Sequence, residues 1–495
     1  MSAAPPEPPP DGVRTAATAR GATARTRDPD GVPWRAPLAF ALVAVALVAI
    51  GLGQSWSLAL AILNLCLISA VMAIGVNVQW GYAGLFNVGT MAFAALGGTA
   101  AVLVSAPPVG AAWRAGGTGI ALAAVALGAG VALAVVLRRR LPAGRARGLL
   151  PALSVLAGLV AARLLYGPAA AAIEAVDPSR TGYLGGLGLP ILFSWLVGGL
   201  LAGAAASLIA RVALGLRADY LAIATLGISE IVIAVIRNED WLTRGVKNVT
   251  GLPRPVPFER DLQRSDWFVD VVARVHGLRA PSPALTGEAP ATDAAPTVAV
   301  DPPLAELVVD AANLAVKLAW SALFVAVLAV LLVLARRAQR APWGRMMRAI
   351  RDDETAAEAL GKDVVRRHRQ AFVVGSAIVG VAGAMLVTLE GQLTPGAYNP
   401  LRFTFLIWVM VIVGGSGNNA GAVLGAFVVW GLWIEAEPLG AWLLDVATAG
   451  LDADHPLRAH LLAQAAQMRL VVMGVVLLVT LRFAPRGLLP ERVRR

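Results

Sequence analysis

The sequence has one cysteine, four histidines and few charged residues for its length. Only 15% of its 495 residues are charged, whereas soluble domains carry about 25%. Cys66 lies inside an apolar run, so no internal disulfide is possible. The four histidines form no ligand cluster with it, so neither a metal site nor another cofactor is expected.

Hydrophobic residues make up 57% of the chain. They recur in runs near the length of about 20 residues that a membrane-spanning helix needs. This pattern predicts an all-α polytopic membrane protein surrounded by membrane lipid. The net charge is +11, but the arginines cluster in loops beside the runs, which fits orientation in a membrane and not a nucleic-acid partner.

The apolar runs divide the chain into four parts. Residues 1–35 are rich in Pro, Ala, Thr and Arg and predict a disordered cytoplasmic tail. A first membrane half covers 36–238, an external loop with an insertion covers 239–312, and a second membrane half covers 313–495. The predicted crossings are 36–53, 58–78, 79–104, 119–137, 149–166, 182–209, 216–238, 315–335, 371–389 and 470–483.

Charge in the loops predicts the orientation of these crossings. With both termini in the cytoplasm, the arginine-rich segments 138–147, 211–217 and 336–369 all lie inside. The acidic segment 437–466 and the region 239–312 then lie outside. This alternation requires residues 403–436 to form a Gly-rich helical hairpin that enters and leaves from one side, which gives about ten transmembrane helices plus the hairpin. Each of the two apolar stretches in 403–436 is short for a full crossing, so both arms are expected to be short.

A polar, basic loop at 336–370 separates two of the apolar runs. Within it, Asp353 can cap a short helix that ends at Gly361. Ala356, Ala357 and Leu360 are then expected on one face, which would suit a shallow groove on another protein. The alternative is a solvated loop that contains a helical turn and has no partner.

Two glycine-rich segments interrupt the apolar runs. Residues 79–104 and the turn at 414–419 allow close helix approach or broken helix buried in protein. Tight packing alone is the alternative for the first segment. The turn GGSGNN lacks GxxxxGK[ST], so it is not a phosphate-binding loop.

Glu230 lies near the middle of the run 216–238. An ionisable group in hydrocarbon costs at least about 2.5 kcal/mol, so the side chain should face the bundle interior or water. Ser229 and Thr225 are expected to provide hydroxyl partners. The sequence leaves open whether Glu230 has a packing role or a transport role.

Four strings of the sequence, in the order expected for the family, resemble LivM-type permeases of branched-chain amino-acid ABC importers. These are GYAGLFNVG (81–89), LRADYLAIATLGISEIVIAVIRN (216–238), PWGRMMRAIRDDETAAEALGKDV (342–364) and VMVIVGGSGNNAGAVLGA (409–426). Many such importers carry an EAAxxxG pattern in the coupling loop. Here Thr355 stands at its first glutamate, and the Leu-Pro that often closes the longer pattern is missing.

The resemblance implies a transport subunit that is not an enzyme, because this chain has no nucleotide motif of its own. Its implied partners are two ABC ATPase subunits, a second LivH-type permease, a periplasmic solute-binding protein and a small-molecule substrate, in the bacterial inner membrane. The implied coupling residues are Asp353, Glu354, Ala356, Ala357, Leu360 and Gly361. The implied translocation residues are Gly84, Asn87, Gly89, Thr90, Glu230, Gly415 and Gly417.

The substrate implied is a branched-chain or related small amino acid, although similar relatives carry urea or amides. An ion-coupled secondary transporter of a small polar solute is a second interpretation, but Glu230 is the only well-centred acid to support it. A membrane enzyme is a third interpretation. It is disfavoured because the histidines lie in loops without converging acids.

Overall fold

The computed structural model describes residues 35–142, 144–178, 182–278, 302–450, 452 and 455–491. The predicted disordered tail lies outside these residues apart from Arg35. Most of the insertion around 281–303 also lies outside them. The first part of the chain forms α1 (Arg35–Gly53), α2 (Trp56–Asn77), α3 (Thr90–Ser105), α4 (Thr118–Arg140), α5 (Arg145–Glu174), α6 (Ile191–Ala213) and α7 (Ala218–Asn238).

Two of these helices have π-helical extensions. The π turn Val78–Tyr82 continues α2, and the turns Gly110–Ala112 and Trp113–Gly117 precede α4. Between α7 and the next long helix lie α8 (Asp240–Thr243), β1 (Val249–Thr250), α9 (Glu259–Gln263) and α10 (Asp266–Val275).

The second part begins with α11 (Pro302–Arg340), α12 (Pro342–Asp352), α13 (Glu354–Ala359) and α14 (Val364–Glu390). It continues with β2 (Gln392–Leu393), a 3₁₀ turn (Pro395–Ala397), α15 (Pro400–Gly414) and α16 (Asn419–Ala447). The last elements are α17 (Pro456–Ala463), a 3₁₀ turn (Ala465–Gln467) and α18 (Met468–Phe483).

Ten helices are long and apolar enough to cross a membrane among the described residues, and α3 and α15 are shorter. The prediction of an all-α polytopic membrane protein is therefore confirmed. The predicted hairpin is present, since α15 and α16 pack against each other across a four-residue turn. The expectation that both arms are short is wrong for α16, which has 29 residues.

The centre of the bundle is built from α2 and α14, which are mostly buried, with α3, α6, α15 and α16 packed around them. Helices α4 and α5 pack mainly on each other and leave most of their surface exposed. Such apolar, exposed surfaces are expected on helices that face lipid.

Glycines allow three of the central helices to cross closely. Gly97 of α3, Gly198 of α6 and Gly380 of α14 meet at one point, and a Cβ on Gly198 would lie 3.1 Å from the Cα of Gly97. A Cβ on Gly97 would overlap the carbonyl group of Gly380. Small residues allow membrane helices to approach each other closely. At Gly97, the glycine content of the segment 79–104 therefore serves helix packing.

Within the region 239–312, the described residues 239–278 and 302–312 form helices that pack on each other. Phe268, Val269 and Val272 of α10 pack against Leu304 and Val308 at the start of α11. Helix α11 has 39 residues, about 58 Å at 1.5 Å per residue, which is well beyond a hydrocarbon core of about 30 Å. Its first turns therefore extend out of the bundle and support α9 and α10.

Candidate functional site

The short helix α13 has the predicted caps at both ends. The Asp353 carboxylate accepts a hydrogen bond of 2.9 Å from the Ala356 amide. At the other end, Gly361 has φ +73°. The Gly361 amide donates to the Glu358 carbonyl at 2.8 Å, and the Lys362 amide donates to the Ala357 carbonyl at 3.1 Å. This pair of bonds is a Schellman motif, which needs a left-handed residue after the helix.

The exposed face of α13 differs from the predicted one at one residue. Ala356 and Leu360 are exposed, and Leu360 keeps 77% of its surface. Ala357 is buried against Ile350 of α12 and Val364 of α14, so its placement on the face for a partner is wrong. The cause is tertiary packing, because Ala357 anchors α13 to its neighbouring helices.

The chain leaves helical structure at residues 84–89, between the π turn that ends α2 and the start of α3. We call residues 79–89, which comprise the end of the π turn and this break, the broken segment. Its side chains satisfy its buried polar groups: Gln79 donates to the Ser376 hydroxyl at 2.9 Å, and Asn87 donates to Gln79 at 2.8 Å. Trp408 of α15 donates to the Asn87 carbonyl at 3.0 Å. The segment is therefore interrupted helix enclosed in protein, as the glycine pattern predicted.

Helix α7 closes the end of the broken segment. The Val88 amide donates to the Thr225 hydroxyl at 3.1 Å. A Cβ on Gly89 would overlap the Thr225 carbonyl, which explains why glycine is needed at this contact. Thr90 is buried, and its hydroxyl donates to the Asn87 carbonyl at 3.4 Å.

The Gly-rich turn at 414–418 meets the broken segment. Gly415 has φ +113° and Gly417 has φ +83°, so both adopt backbone conformations that favour glycine. The Asn77 side chain accepts from the Gly417 amide at 2.8 Å and donates to Asn419 at 3.1 Å. The Gly417 carbonyl accepts from Gln339 of α11 at 2.9 Å.

Arg351 of α12 connects the α12–α13 pair to these elements. Its guanidinium donates to the Gly81 carbonyl of the broken segment and forms an ion pair of 2.9 Å with Glu491. A cavity of about 200 Å³ lies beside it. The residues that line it include Gly84, Phe86, Arg351, Asp353, Glu354 and His368. The structure thus brings Gly84 together with two of the predicted coupling residues.

Glu230 lies apart from this cavity. It is exposed on the side of α7 away from the bundle, and it forms no hydrogen bond or ion pair with the described residues. Thr225 and Ser229 are buried, and Thr225 bonds to the Val88 amide instead. The expected hydroxyl partners are therefore wrong, because five residues along a helix turn Thr225 about 140° away from Glu230.

Several residues of this site were not singled out from the sequence as site residues. They are Asn77, Gln79, Tyr82, Arg351, Asn419 and Glu491. Polar side chains inside apolar runs, such as Asn77 and Gln79, provide a usable signal because they must find partners when buried. No group of three or more metal-ligating side chains lies close together among the described residues.

Comparison with known proteins identifies the family. Residues 58–481 match the family described as branched-chain amino acid transport system permease component. Two relatives are named high-affinity branched-chain amino acid transport system permease protein LivM. The one from Escherichia coli K12 is 27% identical over 237 residues, 47% of this chain and 48% of the relative. The one from Salmonella typhimurium LT2 is 27% identical over 235 residues, 47% of each chain.

An archaeal protein is similarly related. The probable branched-chain amino acid transport permease protein LivM of Methanocaldococcus jannaschii is 28% identical over 174 residues, 35% of this chain and 46% of the relative. The chain thus spans about half the length of the curated relatives it matches. No solved structure matches this chain. Because the family match covers most of the sequence, from α2 to α18, the chain belongs to the branched-chain amino acid transport system permease family.

Proposed function

We propose that this chain is the permease subunit of an ABC importer that moves branched-chain or related small amino acids across the bacterial inner membrane. The observation that carries the proposal is the connection from α13 to the broken segment. Helix α13 exposes Leu360 at its surface, while Arg351 of the adjoining α12 holds the Gly81 carbonyl. A displacement of α13 and α12 by a bound ATPase would therefore be transmitted directly to the broken segment.

In this mechanism two ABC ATPase subunits dock on α12 and α13, one on this chain and one on its partner. Ala356 and Leu360 provide the apolar surface for the contact, and the exposed Asp353 and Glu354 border it. Ala357 and Gly361 shape the helix from inside, through packing and capping. ATP binding would move α12 relative to the broken segment and change which side of the membrane the pathway opens to.

The pathway itself lies at the contact with a second, LivH-type permease. Glu230 supports this placement because an exposed carboxylate near the middle of a membrane helix needs water or protein against it. Tyr220, Ile223 and Ile231 are exposed on the same part of α7. The other predicted translocation residues lie on the inner side of this surface and determine the shape of the broken segment and the Gly-rich turn. They are Gly84, Asn87, Gly89, Thr90, Gly415 and Gly417.

A periplasmic solute-binding protein would bind at the end of the bundle that lies opposite α12 and α13. Helices α8, α9 and α10 lie at that end. The orientation follows from charge, because Arg138–Arg147, Arg211 and Arg340 all lie at the end that carries α12 and α13. The same distribution of charge supports the proposal that both termini lie in the cytoplasm.

Reconstitution tests the proposed function. The chain is co-expressed with a LivH-type permease and two ATPases, and the complex is placed in proteoliposomes with a binding protein outside. ATP-dependent uptake of leucine, isoleucine or valine is expected, and excess urea or acetamide tests the amide alternative by competition. Uptake that requires an ion gradient and no ATP would contradict the proposal and favour a secondary transporter.

Leu360→Asp tests the docking surface. A charge at the centre of the exposed apolar face should reduce co-purification of the ATPase at least about tenfold, since desolvating an unpaired carboxylate costs more than 1.4 kcal/mol. Membrane abundance should not change because Leu360 is 77% exposed.

Val246→Asp is the matched control for Leu360→Asp. Val246 is 74% exposed, but it lies at the end of the bundle opposite α13. It should leave ATPase co-purification unchanged. Equal co-purification of wild type and Leu360→Asp would contradict docking on this face.

A further inference from the structure

The chain after α18 turns back into the bundle, and we call residues 484–491 the C-terminal strap. The Leu488 amide donates to the Val413 carbonyl at 2.8 Å, and the Leu489 amide donates to the Gly414 carbonyl at 2.9 Å. Asn418 donates to the Leu489 carbonyl at 3.0 Å. The strap is thus bonded along the Gly-rich turn on both sides of Gly415.

The strap ends in a carboxylate that faces α12. The Glu491 side chain is 11% exposed, lies 2.9 Å from Arg351 and lies 3.6 Å from Arg348. A Cβ on Gly417 would lie 2.5 Å from the Glu491 carboxylate. The carboxylate therefore occupies the narrow space between α12 and the Gly-rich turn.

Glu491 is therefore a contact that α12 and the Gly-rich turn share. Arg351 simultaneously holds the Gly81 carbonyl, and Gly417 is held by Asn77. Separating a buried carboxylate from its cationic partners is costly, because it leaves an unpaired charge in protein. Displacement of α12 must therefore carry the strap with it or break this ion pair.

We propose that Glu491 is a positioning residue that transmits movement of α12 and α13 to the Gly-rich turn through the C-terminal strap. The proposal rests on the proposed function, in which α13 receives the ATPase. In this proposal the C-terminal strap is a third element in the contact between α12–α13 and the broken segment. The strap lies outside the membrane-spanning helices.

The test measures uptake per ATP hydrolysed in the reconstituted complex. Glu491→Ala should lower this ratio at least about tenfold, a change of 1.4 kcal/mol in coupling, while the ATPase still co-purifies. Glu491→Gln should give an intermediate loss, because the amide can still accept one hydrogen bond but lacks the charge.

Glu437→Gln is the control for removal of an ion-paired carboxylate. Glu437 pairs with Arg469 in the contact between α16 and α18, away from α12, and the variant should keep the wild-type ratio. An unchanged ratio in Glu491→Ala would overturn the proposal. Loss of assembly in both Glu491 variants would also overturn it, since the strap would then be only a structural support.

A second measurement does not depend on transport. In the purified permease, Glu491→Ala should speed amide hydrogen exchange both in the turn 414–418 and in α12–α13. Faster exchange confined to the strap would overturn the transmission role. If wild type shows no ATP-dependent uptake, the proposed function fails, and this exchange experiment still decides whether the strap links the two elements.

Discussion

Gly97→Ala should strongly lower the stability of the folded protein, although it adds a single methyl group. Gly97 is buried where α3, α6 and α14 cross, and its Cβ would overlap the carbonyl of Gly380. A backbone carbonyl cannot rotate away as a flexible side chain can, so the helices must separate. Overpacking of this kind costs about 1–3 kcal/mol per site, and the separation also loses contacts along all three helices.

Gly128→Ala is the matched control for Gly97→Ala. Gly128 lies on the exposed face of α4, and no atom would lie within 4 Å of its Cβ. Alanine favours helix by up to about 1 kcal/mol over glycine in soluble hosts, so this variant should be neutral or slightly more stable. Thermal unfolding in detergent and membrane abundance report both variants. Wild-type stability in Gly97→Ala would contradict the three-helix crossing.

The helical framework could be predicted because it depends on local properties of the sequence. Apolar runs predict the spans, since backbone groups in lipid must bond within their own helix. The caps of α13 were also predictable, because Asp353 bonds within three residues and Gly361 closes a turn with its own helix. Spacing along the chain carries all of this information.

The orientation of side chains around a helix was harder to predict. Ala356 and Ala357 are chemically equal, and only the positions of Ile350 and Val364 decide which one is buried. The same is true of Thr225 and Glu230, whose directions depend on where α7 meets the broken segment. The C-terminal strap was missed because a short segment after the last span has no periodicity that reports its partners.

The length of α16 was also predicted poorly from the sequence. The apolar stretch that follows the Gly-rich turn within 403–436 predicted an arm too short for a full crossing, yet α16 continues as helix from Asn419 to Ala447, past Pro438. A membrane helix can tolerate proline because neighbouring groups compensate for the lost hydrogen bond. Composition therefore underestimates the length of such helices, while their pairing with a neighbour across a Gly-rich turn is predicted well.

Glu230→Leu should have opposite effects on the isolated chain and on the assembled transporter. In the isolated chain Glu230 is exposed on α7, 12 residues after the first residue of a 21-residue helix, so it lies about 18 Å along the helix. A carboxylate in hydrocarbon costs at least about 2.5 kcal/mol. Leucine should therefore stabilise the isolated subunit, but uptake by the complex should fall at least about tenfold if Glu230 faces a partner or a water-filled pathway.

Glu230→Gln separates the two roles that Glu230 could have in the complex. Glutamine keeps the size and one acceptor oxygen, so a hydrogen-bonding role predicts nearly normal uptake. A proton-linked role predicts loss of uptake in this variant as well, because the amide cannot titrate. Uptake of both variants is measured at matched membrane abundance, with thermal unfolding of the isolated chain alongside. Full uptake by Glu230→Leu would show that the exposed face of α7 meets lipid, and it would remove Glu230 from the pathway.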